Sequence, residues 1–183
     1  MSALDLDALL DFATDVAREA GASSLRYFQK EIEVEQKADE SPVTVADRTG
    51  EQILRARIQS KFPEHGILGE EFGGLRPEAE WRWVVDPIDG TRTFVRGVPL
   101  WGVLVGLQNK GEPVLGVAHF PALSETLCAR HGGGTWWNGT RVRVSRTARL
   151  EDATLLLTDV QMMAQFGKQA DFERLRAKVK FER

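Results

Sequence analysis

The sequence has 183 residues, 42% of them hydrophobic, with a formal net charge of −3 and a single cysteine, Cys128. That length and composition support one globular domain with a substantial core. They exclude an intrachain disulfide framework, the basic footprint of a nucleic-acid binder and an apolar run able to cross a bilayer.

The N-terminus, Met1 to Asp7, is acidic and lacks the basic segment of a signal peptide, so the expectation is a reducing, cytoplasmic location without membrane partners. Leu6, Leu9, Leu10, Ala13, Val16, Ala17, Ala20, Ser24, Tyr27 and Phe28 recur at helical spacing and predict an amphipathic helix over 3–30, with Ser2 and Asp5 as its capping start. Alternation of Ile32 and Val34 with acids predicts a short strand over 31–36, followed by a polar turn over 37–42. Leu54, Ile58 and Phe62 predict a second helix over 45–62, which Pro63 ends. Thr44 and Asp47 have capping-box spacing, so Asp47 is either a helix cap or a residue of a nearby site.

Gly66 to Gly69 reads as a short strand opening onto Glu70 and Glu71. Alternation of strand side chains predicts that only one of these two acids faces any shared site. Trp81 to Gly97 is the stretch around which the chain is organised. Trp83, Val84 and Val85 form a strand leading into Asp86, and Pro87, lacking an N–H, is expected to stop its ladder. Gly90 can take positive φ in the bend, and Thr91 can cap a short helix that Gly97 closes. Two carboxylates, Asp86 and Asp89, thus precede a helix start. Carboxylates hold a hard cation, and a helix N-terminus attracts phosphate. The same five residues, Asp-Pro-Ile-Asp-Gly, also suit a plain surface turn.

Trp101 to Leu107, Val114 to Phe120, Glu125 to Arg130, and Thr135 to Thr140 leading through Asn138-Gly139 into a strand over Val142 to Ser145 predict an antiparallel meander. The fold class expected is α+β, with two N-terminal helices packed on that sheet. Leu155 to Leu157 predict a further buried strand. Met162 to Phe166, and Phe172, Leu175 and Val179, predict two short helices.

Other chemistries find no support. Cys128 lies in an apolar strand pattern, and His65, His119 and His131 show no zinc spacing. Neither a Walker A sequence nor a dinucleotide Gly-x-Gly-x-x-Gly is present. Arg92, Arg96 and Trp101 are read either as lining a site mouth or as ordinary solvated and packed residues.

Four stretches read together, Lys37 to Asp47 with Pro-Val-Thr-Val-Ala-Asp, Gly69-Glu-Glu, Asp86-Pro-Ile-Asp-Gly-Thr, and Gly132-Gly-Gly-Thr with its Asn-Gly turn, resemble the inositol monophosphatase family of magnesium-dependent, lithium-sensitive phosphatases. Thr91 to Trp101 is most similar to the histidinol-phosphate phosphatase branch. The resemblance implies the first half of a layered αβαβα sugar-phosphatase fold, a small phosphorylated metabolite as substrate, Mg2+ as cofactor and a homodimer. It implies that Glu70, Asp86 and the Ile88 carbonyl bind a first metal, and that Asp86 and Asp89 bind a second. Glu70 and Thr91 would orient the attacking water, and Asp47 would support Thr91. The Gly90 and Thr91 amides, with Lys37, would hold the phosphate. Members continue into a second α/β half with a Trp-Asp-x-Ala motif; no Trp-Asp pair occurs here, so this chain reads as a single N-terminal domain, 1–183, cut short of that half. The alternative reading is a non-catalytic binding or scaffold protein on a phosphatase-like fold.

Overall fold

The structure, a computed structural model, describes residues 5–37, 42–157 and 160–182. Ser2 and the middle of the turn at 38–41 lie outside the described residues. Two units make up the chain, Met1–Val142 and Arg143–Arg183.

In the first unit, α1 (Leu6–Leu25) starts at Asp5, whose carboxylate accepts the Asp7 N–H at 2.9 Å. It ends five residues earlier than the apolar spacing predicts. Tyr27 and Phe28 lie in the turn beyond it, half-buried, and pack on Phe94 and Trp101. The buried face of α1, with Leu9, Phe12, Ala13, Val16, Ala17 and Ala20, lies on the sheet and on α2 (Val45–Lys61). Each large apolar side chain buried there contributes roughly 1.5–3 kcal/mol.

β1 (Val34–Gln36) pairs with β2 (Pro42–Thr44) as a two-stranded ribbon. The main sheet has eight strands: β3 (Gly66–Gly69), β4 (Gly73–Leu75), β5 (Trp81–Asp89), β6 (Gly102–Asn109), β7 (Glu112–Phe120), β8 (Glu125–Arg130), β9 (Gly134–Trp137) and β10 (Thr140–Val142). Their spatial order is β10-β9-β8-β7-β6-β5-β3-β4. The meander from β5 to β10 is antiparallel, as the sequence predicts, but its last strand is Thr140–Val142 and not Val142 to Ser145, because pairing with β9 starts directly after the Asn138-Gly139 turn. The sheet is mixed, because β3 and β5 run parallel. The cause is β4, which the sequence reading missed. It folds back on the outer side of β3, so the chain returns to the inner side of β3 running in the original direction.

Pro87 does not end β5. Pairing with β6 resumes at Asp89↔Gly102 after Asp86↔Leu104, so three steps on β5 oppose two on β6. The residue without an N–H is absorbed in a bulge. Beneath the sheet, Trp83 is fully buried against Phe12 and Phe62, and its indole N–H donates to His65 Nδ1 at 3.1 Å.

In the second unit, β11 (Thr154–Leu155) pairs in parallel with β12 (Phe181–Glu182), and α4 (Gln161–Gln165) and α5 (Gln169–Arg176) lie between them in sequence. The predicted buried strand over Leu155 to Leu157 shrinks to two residues, and Leu156 is 72% exposed. Phe172 of α5 is buried. Among the described residues no helix is long and apolar enough to cross a membrane.

Candidate active site

The sheet registers bring the acids together. Gly69 of β3 lies opposite Val85 of β5, and the strands are parallel. The next residues, Glu70 just past the end of β3 and Asp86 within β5, therefore lie at the same end of the two strands. Burial, the nearby Glu70 carboxyl and the charge of Asp89 push the Asp86 carboxyl up to about 8, against the opposing pull of the Ile88 N–H, which donates to Asp86 Oδ1 at 3.0 Å.

Beyond Asp86 the bend turns inward. Ile88 is buried with Ala46, Phe94 and Trp101, which leaves its carbonyl to accept the Thr91 hydroxyl at 3.0 Å. Gly90, at φ +91°, is the N-cap of α3 (Thr91–Phe94), and Gly97, at φ +71°, follows its end. Thr91 is thus the first helical residue and not the cap. Its hydroxyl is free to reach Asp47 Oδ1 at 3.1 Å as well as Ile88 O.

Asp47 combines both roles that the sequence leaves open. Its Oδ2 accepts the Thr44 N–H at 2.8 Å and the Thr44 hydroxyl at 2.6 Å, completing the capping box of α2, while Oδ1 faces Thr91. Burial raises the Asp47 carboxyl above its ordinary range against these hydrogen bonds.

The expectation that Glu70 and Glu71 point apart does not hold. Lys37 Nζ lies 2.7 Å from both carboxylates. The reason is local: β3 ends at Gly69, so the two acids sit in a turn, where strand alternation no longer applies. Burial pushes Glu71 up against the pull of Lys37, and the two carboxylates outweigh the burial of Lys37 and hold its ammonium above the usual lysine range. Lys37 therefore bridges two acids instead of standing alone toward a phosphate.

Sequence reasoning missed Glu51. This fully buried residue of α2 accepts the Glu71 N–H at 2.7 Å, the Phe72 N–H at 3.2 Å and Arg55 Nε at 2.7 Å. A signal was present: Asp47, Glu51, Leu54 and Ile58 form one helical row, and an acid within an apolar row needs a partner.

The donor set at this edge consists only of oxygens, from Glu70, Asp86, Asp89 and the Ile88 carbonyl, which suits a hard cation such as magnesium. Among the described residues, no three Asp, Glu, His or Cys side chains are already converged at ligating geometry. Glu70 is held by Lys37 instead. Among the described residues, one concavity of about 450 Å3 lies beside Arg18, His119 and Thr126, and one of about 520 Å3 beside Gln36, Arg92 and Arg96. Trp101 is 1% exposed and edge-on to Phe94, so it is a packed residue, whereas Arg92 and Arg96 are exposed. Cys128 is half-buried, and burial pushes its thiol up.

Comparison with known proteins assigns the family. The sequence profile of the inositol monophosphatase family matches residues 5–180. The chain is 42% identical over 155 residues to a histidinol-phosphatase of Chlorobaculum parvum, covering 84% of this chain and 60% of that protein. It is 35% identical over 182 residues to the chloroplastic bifunctional phosphatase IMPL2 of Arabidopsis thaliana, covering 98% of this chain and 52% of that one. Among solved structures, the IMPase of Thermotoga maritima superposes with a TM-score of 0.84 at 33% identity, over 95% of this chain and 66% of that one. The chain thus spans little more than half the length of the curated relatives it matches. With the profile running almost end to end, and the acids, bend and buried Asp47 assembled at one sheet edge, the chain belongs to the inositol monophosphatase family.

Proposed function

We propose that the chain carries most of the catalytic centre of a magnesium-dependent phosphate monoester hydrolase, with histidinol phosphate as the leading substrate and inositol monophosphate as the second. The observation that carries this reading is the Thr91 hydroxyl, held between Asp47 and the Ile88 carbonyl a few residues beyond the Asp86–Glu70 pair. The substrate order follows the relatives' names: the Chlorobaculum parvum protein is a histidinol-phosphatase, and a 36% identical protein of Mesorhizobium japonicum is an inositol-1-monophosphatase.

Glu70, Asp86 and the Ile88 carbonyl would hold a first Mg2+, and Asp86 and Asp89 a second. Magnesium there neutralises the charge of a phosphate dianion and polarises it toward attack. The residues do the rest. Thr91, fixed by Asp47, and Glu70, acting as proton acceptor, orient a water in line with the phosphorus. The Gly90 and Thr91 amides, at the open end of α3, donate to phosphate oxygens. Lys37, beside Glu70, would offer its ammonium to the phosphate. The protein acts without nucleic acid or membrane, in the cytoplasm and as a homodimer.

The test is calorimetric Mg2+ binding together with phosphate release from both esters. The expected result is saturable Mg2+ binding that Asp86→Asn abolishes. Turnover is expected to be Mg2+-dependent. A folded protein with no affinity for Mg2+ would refute the reading.

A further inference from the structure

We propose that Glu51 is a positioning residue that sets the place of Glu70, and that through it α2 controls metal affinity; this rests on the phosphatase reading above. Glu51 has no exposed surface, yet its two carboxylate oxygens are spent on the loop that follows β3. Oε2 accepts the N–H of Glu71 and Oε1 that of Phe72. Arg55, one turn along α2, pairs with the same carboxylate and donates to the Gly73 carbonyl. Three consecutive loop residues, 71, 72 and 73, are thus tied by backbone atoms to two side chains of one helix.

The fit leaves no slack. A Cβ on Gly69 would lie 1.9 Å from Glu51 Oε1, so the carboxylate packs directly on the backbone at the residue before Glu70. Glu70 therefore lies between a glycine packed on Glu51 and an amide bound to it, while its own side chain is exposed and pairs with Lys37. A buried carboxylate is costly unless it is paired and hydrogen-bonded. An apolar residue in the row of Leu54 and Ile58 would avoid that cost, but it could not hold the loop's amides. One turn earlier in the same helical row, Asp47 does the equivalent for Thr91. One rigid element thereby positions both groups assigned to the attacking water.

The test uses the full chain and four variants. Glu51→Gln keeps the size of the side chain and one oxygen but presents an NH2 group to donors. Gly69→Ala displaces the carboxylate from the loop's side and leaves Glu51 itself intact, so it serves if Glu51→Gln fails to fold. Ile58→Val lies farther along the same buried row and is a control for simple destabilisation. Asp86→Asn is the control for the metal site. Calorimetry with Mg2+ should show about tenfold to a hundredfold weaker binding for Glu51→Gln and Gly69→Ala. The Glu71 and Phe72 amides should exchange hydrogen faster in both. Ile58→Val should lower the melting temperature and leave Mg2+ affinity within twofold of wild type, an outcome that a merely structural Glu51 would share with Glu51→Gln. Wild-type affinity in Glu51→Gln, with faster exchange at Glu71 and Phe72 and binding lost in Asp86→Asn, overturns this proposal and leaves the phosphatase reading standing. No Mg2+ binding by the wild type overturns both.

Discussion

Replacing Asp47 separates its two jobs. In Asp47→Ala three accepted hydrogen bonds disappear, from the Thr44 N–H, the Thr44 hydroxyl and the Thr91 hydroxyl. Thr91 retains the Ile88 carbonyl, and the Thr44 hydroxyl can rotate, but the Thr44 N–H is left buried without its acceptor. The helix cap itself survives, because Thr44 Oγ1 still accepts the Ala46 N–H. A stranded buried donor costs about 1–3 kcal/mol. That cost lowers the melting temperature by roughly 2–12 °C in a protein of this length.

Asp47→Asn behaves differently. The amide oxygen can stay on Thr44, where two donors converge, and the NH2 group then faces Thr91. The Thr91 hydroxyl can accept from it and donate to Ile88 O, so every donor is satisfied and the cost stays under about 1 kcal/mol. The hydroxyl proton is then locked onto Ile88, and hydrolysis should fall about tenfold to a hundredfold in a protein of nearly normal stability. Thermal unfolding by circular dichroism and phosphate release measure the two effects. The pH dependence has a definite sign. The Asp47 carboxyl is raised in the folded state, so the folded chain holds more protons there than the unfolded chain, and stability is lost as pH rises through the folded pKa. Asp47→Asn should remove that slope. Equal destabilisation by Asn and Ala, or a cost under about 0.5 kcal/mol for Ala, which is the scale of an ordinary surface change, would refute the hydrogen-bond accounting.

Asp86 supplies a linked prediction. Its carboxyl rises from 3.8 to about 8 in the folded metal-free chain, so that chain is favoured at low pH and loses this contribution as pH rises between those values. Mg2+ must displace the proton, so apparent affinity should climb with pH up to about 8, with proton release visible as buffer-dependent heat; heat independent of the buffer would remove Asp86 from the metal site. His65 has the opposite sign. Burial depresses it below 6.5, and its Nδ1 must stay unprotonated to accept the Trp83 indole N–H. Stability should therefore fall, and tryptophan fluorescence shift, as pH drops below 6.5, and His65→Phe should flatten that response. Gly90→Ala places a side chain at φ +91° and should cost about 1–2 kcal/mol, read as a lower melting temperature; an unchanged value would mean that the bend does not need glycine.

Much of this arrangement is legible in the residues. Helical spacing locates α1 and α2, turn chemistry locates the meander, and Asp-Pro-Ile-Asp-Gly-Thr marks the bend. These signals are local, and each element satisfies its own rule. What escaped depends on pairings distant in sequence. β4, a Gly-Gly-Leu of three residues, carries no periodicity, yet it reverses the chain and makes β3 parallel to β5. Lys37 meets Glu70 and Glu71 across more than thirty residues. Pro87 read as a stop because its missing N–H was weighed without the bulge that accommodates it.

The parallel pair explains why the acids form a site at all. In an antiparallel pair the residues after Gly69 and Val85 would lie toward opposite ends of the strands. In the parallel register Glu70 and Asp86 lie at the same end, and their repulsion raises the Asp86 carboxyl and is relieved at Glu70 by Lys37. α2 then crosses that edge with Asp47 and Glu51 one turn apart, about 6 Å along its axis. That spacing lets one carboxylate reach the bend after β5 and the other the turn after β3. The same row continues into Leu54 and Ile58, which are fully buried in the main core. Sliding α2 by one residue would expose those two side chains and withdraw both carboxylates from their loops. The packing that stabilises the helix is therefore also what sets the distance between Thr91 and Glu70.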